Sequence, residues 1–336
     1  MADFPDVRLH VVTGKGGTGK TTVAAALALA LAARGKRVLL CEVEGRQGIA
    51  QLFDVPPLPY EERSVAVAPG GGEEVFALAI DPEMALLDYL HMFYKLSPNG
   101  IPARTLRRMG AIEFATTIAP GTRDVLLTGK VKEAVVRMRP APKRGGTPTP
   151  AYDAVVLDAP PTGRISRFLN ISQEFGGLAK VGPLKTQSDG VMAILRSPQT
   201  AVHLVTLLEE MPVQETMDAV AELSALDLPI GGVVVNAVRT PMLDPADLKA
   251  AEAGVLDTAA LRAGLAAAGL DVDDALVAGL AAEATGHASR VGLEERGRDA
   301  LAGLDRPTYE LPLLEGPVDL GSLYELAESL TAQGMA

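Results

Sequence analysis

Gly14-Lys15-Gly16-Gly17-Thr18-Gly19-Lys20-Thr21-Thr22 decides the fold of this 336-residue chain. It has the Gly-x-x-x-x-Gly-Lys-Thr spacing of a P-loop. It follows the apolar run Leu9 to Val12 and precedes the Ala/Leu-rich run Val23 to Ala33. This is the strand, loop and helix setting in which that motif works. Glycines let backbone N–H groups turn inward around a phosphate, and the helix N-terminus adds positive partial charge. Gly14, Gly16, Gly17, Thr18, Gly19 and Thr22 are therefore expected to cradle a nucleotide. Lys20 is expected to bridge its β- and γ-phosphates, and Thr21 to offer a hydroxyl to Mg²⁺. The expected ligands are ATP and Mg²⁺.

Composition narrows the rest. The chain is long enough for one large α/β domain with insertions. With 31 Lys+Arg against 42 Asp+Glu the net charge is −11, which opposes attraction to nucleic acid or anionic lipid. The acidic start Met1-Ala2-Asp3-Phe4-Pro5-Asp6 lacks a signal-peptide layout, and the longest apolar run is too short to span a bilayer. The expected location is cytoplasmic. Cys41 is the single cysteine, which excludes an internal disulfide and leaves too few thiolates for a subunit-bridging four-cysteine iron–sulfur cluster or a Cys-x-x-Cys zinc clasp. It fits a small buried hydrophobe in the strand Val38 to Cys41, with a reactive thiol as the alternative. His10, His91, His203 and His287 lack metal-ligand spacing, so no zinc site is expected.

Along the chain, strand Arg8 to Thr13, the P-loop helix, Gly35 at a helix C′ position and strand Arg37 to Cys41 form a β-α-β unit of a parallel sheet covered on both faces. Residues 55–72 read as loop and Val75 to Ile80 as strand. A helical insertion is expected over residues 82–138, including Arg104 to Ala115. Met84, Met92, Met109 and Met138 could serve it either as core or as an adaptable groove. Residues 139–151 are rich in Pro and Gly and read as a flexible loop. Ala154-Val155-Val156-Leu157-Asp158 is an apolar strand ending in a carboxylate that can serve a Mg²⁺ shell. Further strands are expected at Val202 to Thr206, Gly231 to Asn236 and Thr308 to Leu311. A second helical segment should span 244–304, interrupted near Gly269 to Val272, and Leu323 to Ala332 closes the chain as a helix.

Lys15 inside the P-loop, with Asp158-Ala159-Pro160-Pro161-Thr162-Gly163-Arg164, resembles the deviant Walker A group, and within it the ArsA and tail-anchored-protein-targeting ATPases, nearest to an actinobacterial anion-transporting-ATPase-like group. The resemblance runs from Val11 to about Leu330. It implies an α/β P-loop NTPase fold of residues 1–336, with a mostly parallel sheet flanked by helices and an inserted helical subdomain. It also implies a dimer in which Lys15 reaches the partner's nucleotide. Glu44 falls where the family's switch I carries a water-orienting aspartate, so the carboxylate is kept but displaced by a methylene. Misplacement of about an ångström can cost ~100-fold in rate. Gly163 stands where a backbone N–H senses the γ-phosphate, Asn236 where an amide meets adenine, and Pro312-Leu313 where a second wall of the adenine site lies. Arg164 replaces the family's histidine, and Asp319-Leu320 stands in place of an Arg-Gly pair.

The resemblance implies an ATPase that uses hydrolysis to switch shape for targeting or transport of a protein or anion cargo, through a membrane-protein or channel partner. Lys15, Lys20, Glu44 and Asp158 would be its catalytic residues. Two other readings stay open. One is a weakly hydrolysing subunit of a heterodimer with a paralogous ATPase, and the other is a spatial organiser like MinD or ParA, which the net charge disfavours.

Overall fold

In a computed structural model, the structure describes residues 2–94, 121–140, 147–170 and 183–336. Ten strands are found among them: β1 Leu9–Gly14, β2 Val38–Glu42, β3 Arg63–Val67, β4 Glu74–Ala79, β5 Met138–Arg139, β6 Thr149–Pro150, β7 Ala154–Asp158, β8 Thr200–Thr206, β9 Ile230–Val238 and β10 Thr308–Pro312. The helices are α1 Lys20–Ala33, α2 Gly48–Leu52, α3 Pro82–Tyr94, α4 Thr122–Val136, α5 Thr162–Leu169, α6 Pro183–Leu195, α7 Glu210–Ser224, α8 Pro245–Glu252, α9 Thr258–Ala267, α10 Asp274–Ala302 and α11 Leu320–Ala332.

Eight strands form one sheet in the order β10-β9-β8-β1-β7-β2-β4-β3. All its pairings are parallel except β3 with β4. The inner strands β1, β2, β7 and β8 are buried along their whole length, as expected for a sheet covered on both faces. Their side chains alternate between two apolar layers. Leu9, Val11, Leu39 and Leu157 pack with Leu126, Val131 and Phe168 of α4 and α5. Val12, Leu40 and Val156 pack with α1 and with Leu323, Leu326 and Leu330 of α11.

Helix α1 is buried from Val23 through Ala32. A helix apolar all round has no solvent face to present, and α1 lies between the sheet and α11. It ends where Gly35, at φ 82°, lets the chain turn back, with Gly35 N–H donating to Ala32 O and Lys36 N–H to Leu31 O.

The segment between β9 and β10 contains three helices among the described residues, each started by an aspartate whose side chain accepts a backbone N–H of the first turn: Asp244, Asp257 and Asp273. The chain breaks between Ala267 and Asp274, as the sequence predicts, and also between α8 and α9. No residue of α9 is buried.

Two stretches differ from expectation. Part of the stretch read as loop forms the edge strand β3, which is largely exposed and pairs with β4 through a register shift between Ser64 and Ala66. Its apolar run, Val65 to Ala68, is short and only partly covered, and it lies in a stretch otherwise rich in Pro and Gly. The beginning and end of the expected loop 139–151 are joined by the antiparallel pairing of β5 with β6. The expected helix Arg104 to Ala115 and Met109 lie outside the described residues. Met92 and Met138 are exposed, so neither is core. Cys41 is fully buried, and burial pushes its thiol up, which makes it unreactive.

His10 and His203, distant in sequence, meet across β1 and β8, His10 Nδ1 lying 3.1 Å from His203 Nε2. Gly232 N–H donates to His203 Nδ1 at 3.1 Å, so His203 carries its proton on Nε2 and donates to His10. Both rings are fully buried. Burial lowers both pKa values, that of His203 to about 3. The unfolded chain takes up protons below about pH 6.5 while the folded pair refuses them, so this contribution to stability falls as pH drops from about 6.5 toward 3. Between pH 7.5 and 5 the wild type should lose about 2 kcal/mol more than His203→Gln, as read from urea midpoints. Equal losses would show that His203 does not carry the effect.

Candidate nucleotide site

The P-loop closes on one carbonyl. Thr18 Oγ1 donates to Lys15 O at 2.9 Å and Lys20 Nζ to the same oxygen at 3.3 Å. Gly17 and Gly19 sit at φ 89° and 86°, in the left-handed region that favours glycine. A Cβ on Gly14 would lie 2.1 Å from Val205 O, so only glycine lets β1 leave the sheet beside β8 here.

Asp158 ends β7 beside β1, in register with Val12. Its Oδ2 accepts from Thr21 Oγ1 at 2.7 Å, while Oδ1 is buried without a hydrogen-bond partner. Burial pushes the Asp158 carboxyl up to about 6, against the Thr21 hydrogen bond and the Lys20 charge, which pull it down. Burial also lowers the Lys20 ammonium, against the raising influence of Asp158 and Glu44. A hydroxyl and an under-satisfied carboxylate at the mouth of a phosphate loop make a donor set suited to Mg²⁺, which takes few protein oxygens alongside phosphate and water. Among the described residues no group of three or more His, Cys, Asp or Glu is placed to hold a metal without help from a ligand.

Glu44, in the turn after β2, is held by Arg46 at 3.5 Å and Arg164 at 3.7 Å. Its charge acts on both Lys20 and Asp158. Arg164 stands in the first turn of α5, which opens after Pro161 with Thr162 and Gly163. Thr13 Oγ1 donates to Pro160 O at 2.7 Å, tying this turn to β1. The space where a Gly163 Cβ would stand is open.

Asn236, near the end of β9, donates from Nδ2 to Thr18 O at 2.9 Å. The amide braces the loop with its donor side, leaving Oδ1 as an acceptor for another group. Ala237 follows at φ 55°, a conformation costly for a residue with a Cβ. Pro312 ends β10, and Leu313 N–H donates to Val238 O at 2.8 Å, which brings these two residues beside the end of β9. Leu313 is about half exposed.

Sequence reasoning gives no site role to two members, although Glu215 lies in a segment, Glu209 to Thr216, that resembles the family's Leu-Pro-Val-x-Glu-Thr phrase. Glu215 of α7 binds Lys15 Nζ through Oε1 at 2.6 Å and accepts from Thr162 Oγ1 through Oε2 at 3.2 Å. Lys15 and Glu215 are 200 residues apart, and nothing local marks them as partners. Glu42, the last residue of β2, is almost fully buried. An acid at the end of the run Val-Leu-Leu-Cys was a signal available in the sequence.

A family profile described as an anion-transporting ATPase, ArsA_ATPase, matches residues 7–195. That span runs from β1 through α6. The ATPase BagA of Mycobacterium tuberculosis (strain ATCC 25618 / H37Rv) is 57% identical over 329 residues, 98% of this chain and 94% of that protein. The chain belongs to the ArsA family of anion-transporting ATPases. This ArsA-family ATPase is also similar to the ATPase get3 of Schizosaccharomyces japonicus (strain yFS275 / FY16936), 24% identical over 267 residues, covering 70% of this chain and 74% of that one. An arsenical pump-driving ATPase of Escherichia coli is 28% identical over 242 residues, 67% of this chain and 38% of that protein. The profile match includes the P-loop, Glu44, Asp158 and Gly163. Glu215, Asn236, Pro312 and Leu313 of this ArsA-family ATPase lie beyond it. Among the described residues no helix is long and apolar enough to cross a membrane.

Proposed function

We propose that this ATPase is a cytoplasmic dimer that binds Mg·ATP between subunits and uses hydrolysis to switch the shape of its helical regions around a protein or anion cargo. The observation that carries the reading is the pair of contacts made by Glu215. One carboxylate grips Lys15 of the P-loop and Thr162 at the start of α5, so a change at the phosphate loop is felt by α5 and α7 together. Both helices begin just beyond the C-terminal ends of the two strands that flank β1, and such shared contacts are what a two-state element needs.

In this reading the P-loop glycines, with Thr18 and Thr22, donate backbone N–H groups to the phosphates, and Lys20 neutralises the transferring group. Thr21 and Asp158 hold Mg²⁺, which when bound neutralises phosphate charge. Glu44 orients water, Gly163 N–H meets the γ-phosphate, and Asn236 Oδ1, Pro312 and Leu313 receive adenine. Lys15 leaves Glu215 to reach the partner's nucleotide. A membrane-protein or channel partner would take the cargo.

A second reading is a nucleotide-binding, weakly hydrolysing subunit of a heterodimer with a paralogous ATPase. The engagement of Glu44 by both Arg46 and Arg164 favours it, because a paired carboxylate is poorly placed to orient water. The mass of the purified chain by sedimentation, with and without a non-hydrolysable ATP analogue, together with its turnover, tests both. An analogue-dependent homodimer with turnover supports the first reading. Negligible turnover that rises on mixing with a co-purifying P-loop chain supports the second. A monomer under every condition, mixing with other P-loop chains included, sinks both.

Glu215→Gln should release Lys15. The analogue concentration that half-saturates dimerisation is then expected to fall about tenfold, equivalent to ~1.4 kcal/mol. An unchanged midpoint would mean that Glu215 does not restrain Lys15.

A further inference from the structure

Glu42 is 2% exposed at the end of a strand that is otherwise apolar. Its Oε2 accepts from Ile49 N–H at 3.3 Å, but Oε1 is buried with no hydrogen-bond partner. Directly across the β2–β7 ladder stands Asp158. In parallel register, opposed side chains leave the same face of the sheet, so the two acids lie side by side. Asp158 Oδ1 is likewise a buried carboxylate oxygen without a hydrogen-bond partner. Among the described residues no salt bridge to Glu42 forms, and Glu42 acts on Asp158 by repulsion. Burying a carboxylate with an unused oxygen is unfavourable unless something supplies the missing donor. Holding Ile49 N–H does not explain the arrangement, because a neutral serine or asparagine could accept that bond without burying a charge.

We propose that Glu42 is a positioning residue for the metal of the nucleotide complex, its Oε1 accepting hydrogen bonds from water on the Mg²⁺ that Thr21 and Asp158 hold. This rests on the Mg·ATP reading above. Mg²⁺ retains several of its waters when bound, and outer-shell carboxylates orient such ligands. Glu42 and Asp158 together also supply the negative charge that one dication offsets. The pair explains why two orphan oxygens persist side by side without a basic residue between them.

The test uses the full chain, ADP and Mn²⁺ as the probe. Free Mn²⁺ is read by electron paramagnetic resonance, and metal-free ADP binding by calorimetry in EDTA. Glu42→Gln, which keeps an acceptor for Ile49 N–H, should weaken Mn²⁺ binding by the ADP complex about tenfold or more. ADP affinity in EDTA should stay the same, and the ligand-free melting temperature should not fall. Unchanged Mn²⁺ affinity would overturn the proposal, and so would a parallel loss of ADP affinity in EDTA with a lower melting temperature, which marks a structural role. If the glutamine variant does not fold, Glu42→Asp keeps the charge on a shorter arm. Its Mn²⁺ affinity should drop about threefold or more with ADP affinity kept, and no drop overturns the proposal. A wild-type chain that binds neither ADP nor Mn²⁺·ADP would instead refute the nucleotide reading, and this proposal with it.

Discussion

Lys20→Ala is expected to lower kcat/KM for ATP by about 100- to 1,000-fold, the usual effect of removing one donor aimed at developing charge. Lys20 is half-buried, held over the P-loop by Lys15 O, and Asp158 and Glu44 are the carboxylates that act on it. Lys15, the other ammonium in the loop, is already engaged by Glu215. Removing Lys20 therefore leaves Asp158 facing the incoming phosphates without its nearby ammonium, while Glu44 keeps Arg46 and Arg164. Both binding and turnover should suffer, since the charge matters to the ground state and more to the transition state. Arginine should not rescue, because its planar fork cannot replace a compact ammonium in a loop this tight. Turnover assays beside circular dichroism separate lost chemistry from lost fold. Wild-type turnover in the alanine variant would refute the assignment of this loop.

The second large effect is steric. Gly19 sits at φ 86°, and a Cβ there would lie 2.2 Å from Asn236 Nδ2. Gly19→Ala thus costs about 1–2 kcal/mol for the left-handed backbone and in addition displaces the amide that braces Thr18 O. Nucleotide affinity is expected to fall about 100-fold, and the melting temperature should fall as well. Asn236→Ala alone removes one hydrogen bond, about 1 kcal/mol. The double variant should be more stable than the sum of the two single losses, because without the amide the new methyl has room. Measured by a double-mutant cycle, strict additivity would show that the two residues do not press on one another.

The sequence makes the centre of the fold legible because its signals there are local. The order of glycine, lysine and threonine in the P-loop, the largely apolar runs of β1, β2 and β7 and the carboxylate ending β7 each lie within a few residues. What escaped has other causes. β3 lies at an edge, where half-exposure erases the pattern that marks a buried strand. The β5–β6 pairing is two residues long on each side, too short to show any period. The Lys15–Glu215 and His10–His203 contacts depend on which strands and helices become neighbours, and no spacing rule reports that. Glu42 was visible as an acid closing an apolar strand, but its partner Asp158 is known only from the order β7-β2 in the sheet. The structure likewise restrains one sequence reading, since Glu44 stands near the loop yet is held by two arginines.

The position of β1 between β7 and β8 has a consequence for how the protein is made. Thr21 and its carboxylate partner Asp158 are separated by 137 residues. At about 5–20 residues per second, a ribosome needs roughly 7–30 s to supply the second after the first. The P-loop helix therefore leaves the ribosome long before the strands that flank β1 exist. For that interval its wholly apolar surface, Val23 to Ala32, has no sheet to cover it. Pairings of such long sequence separation are slow to form and leave apolar surface open to aggregation while they do. A nascent chain shorter than about 160 residues should thus be a client for chaperones rather than for nucleotide.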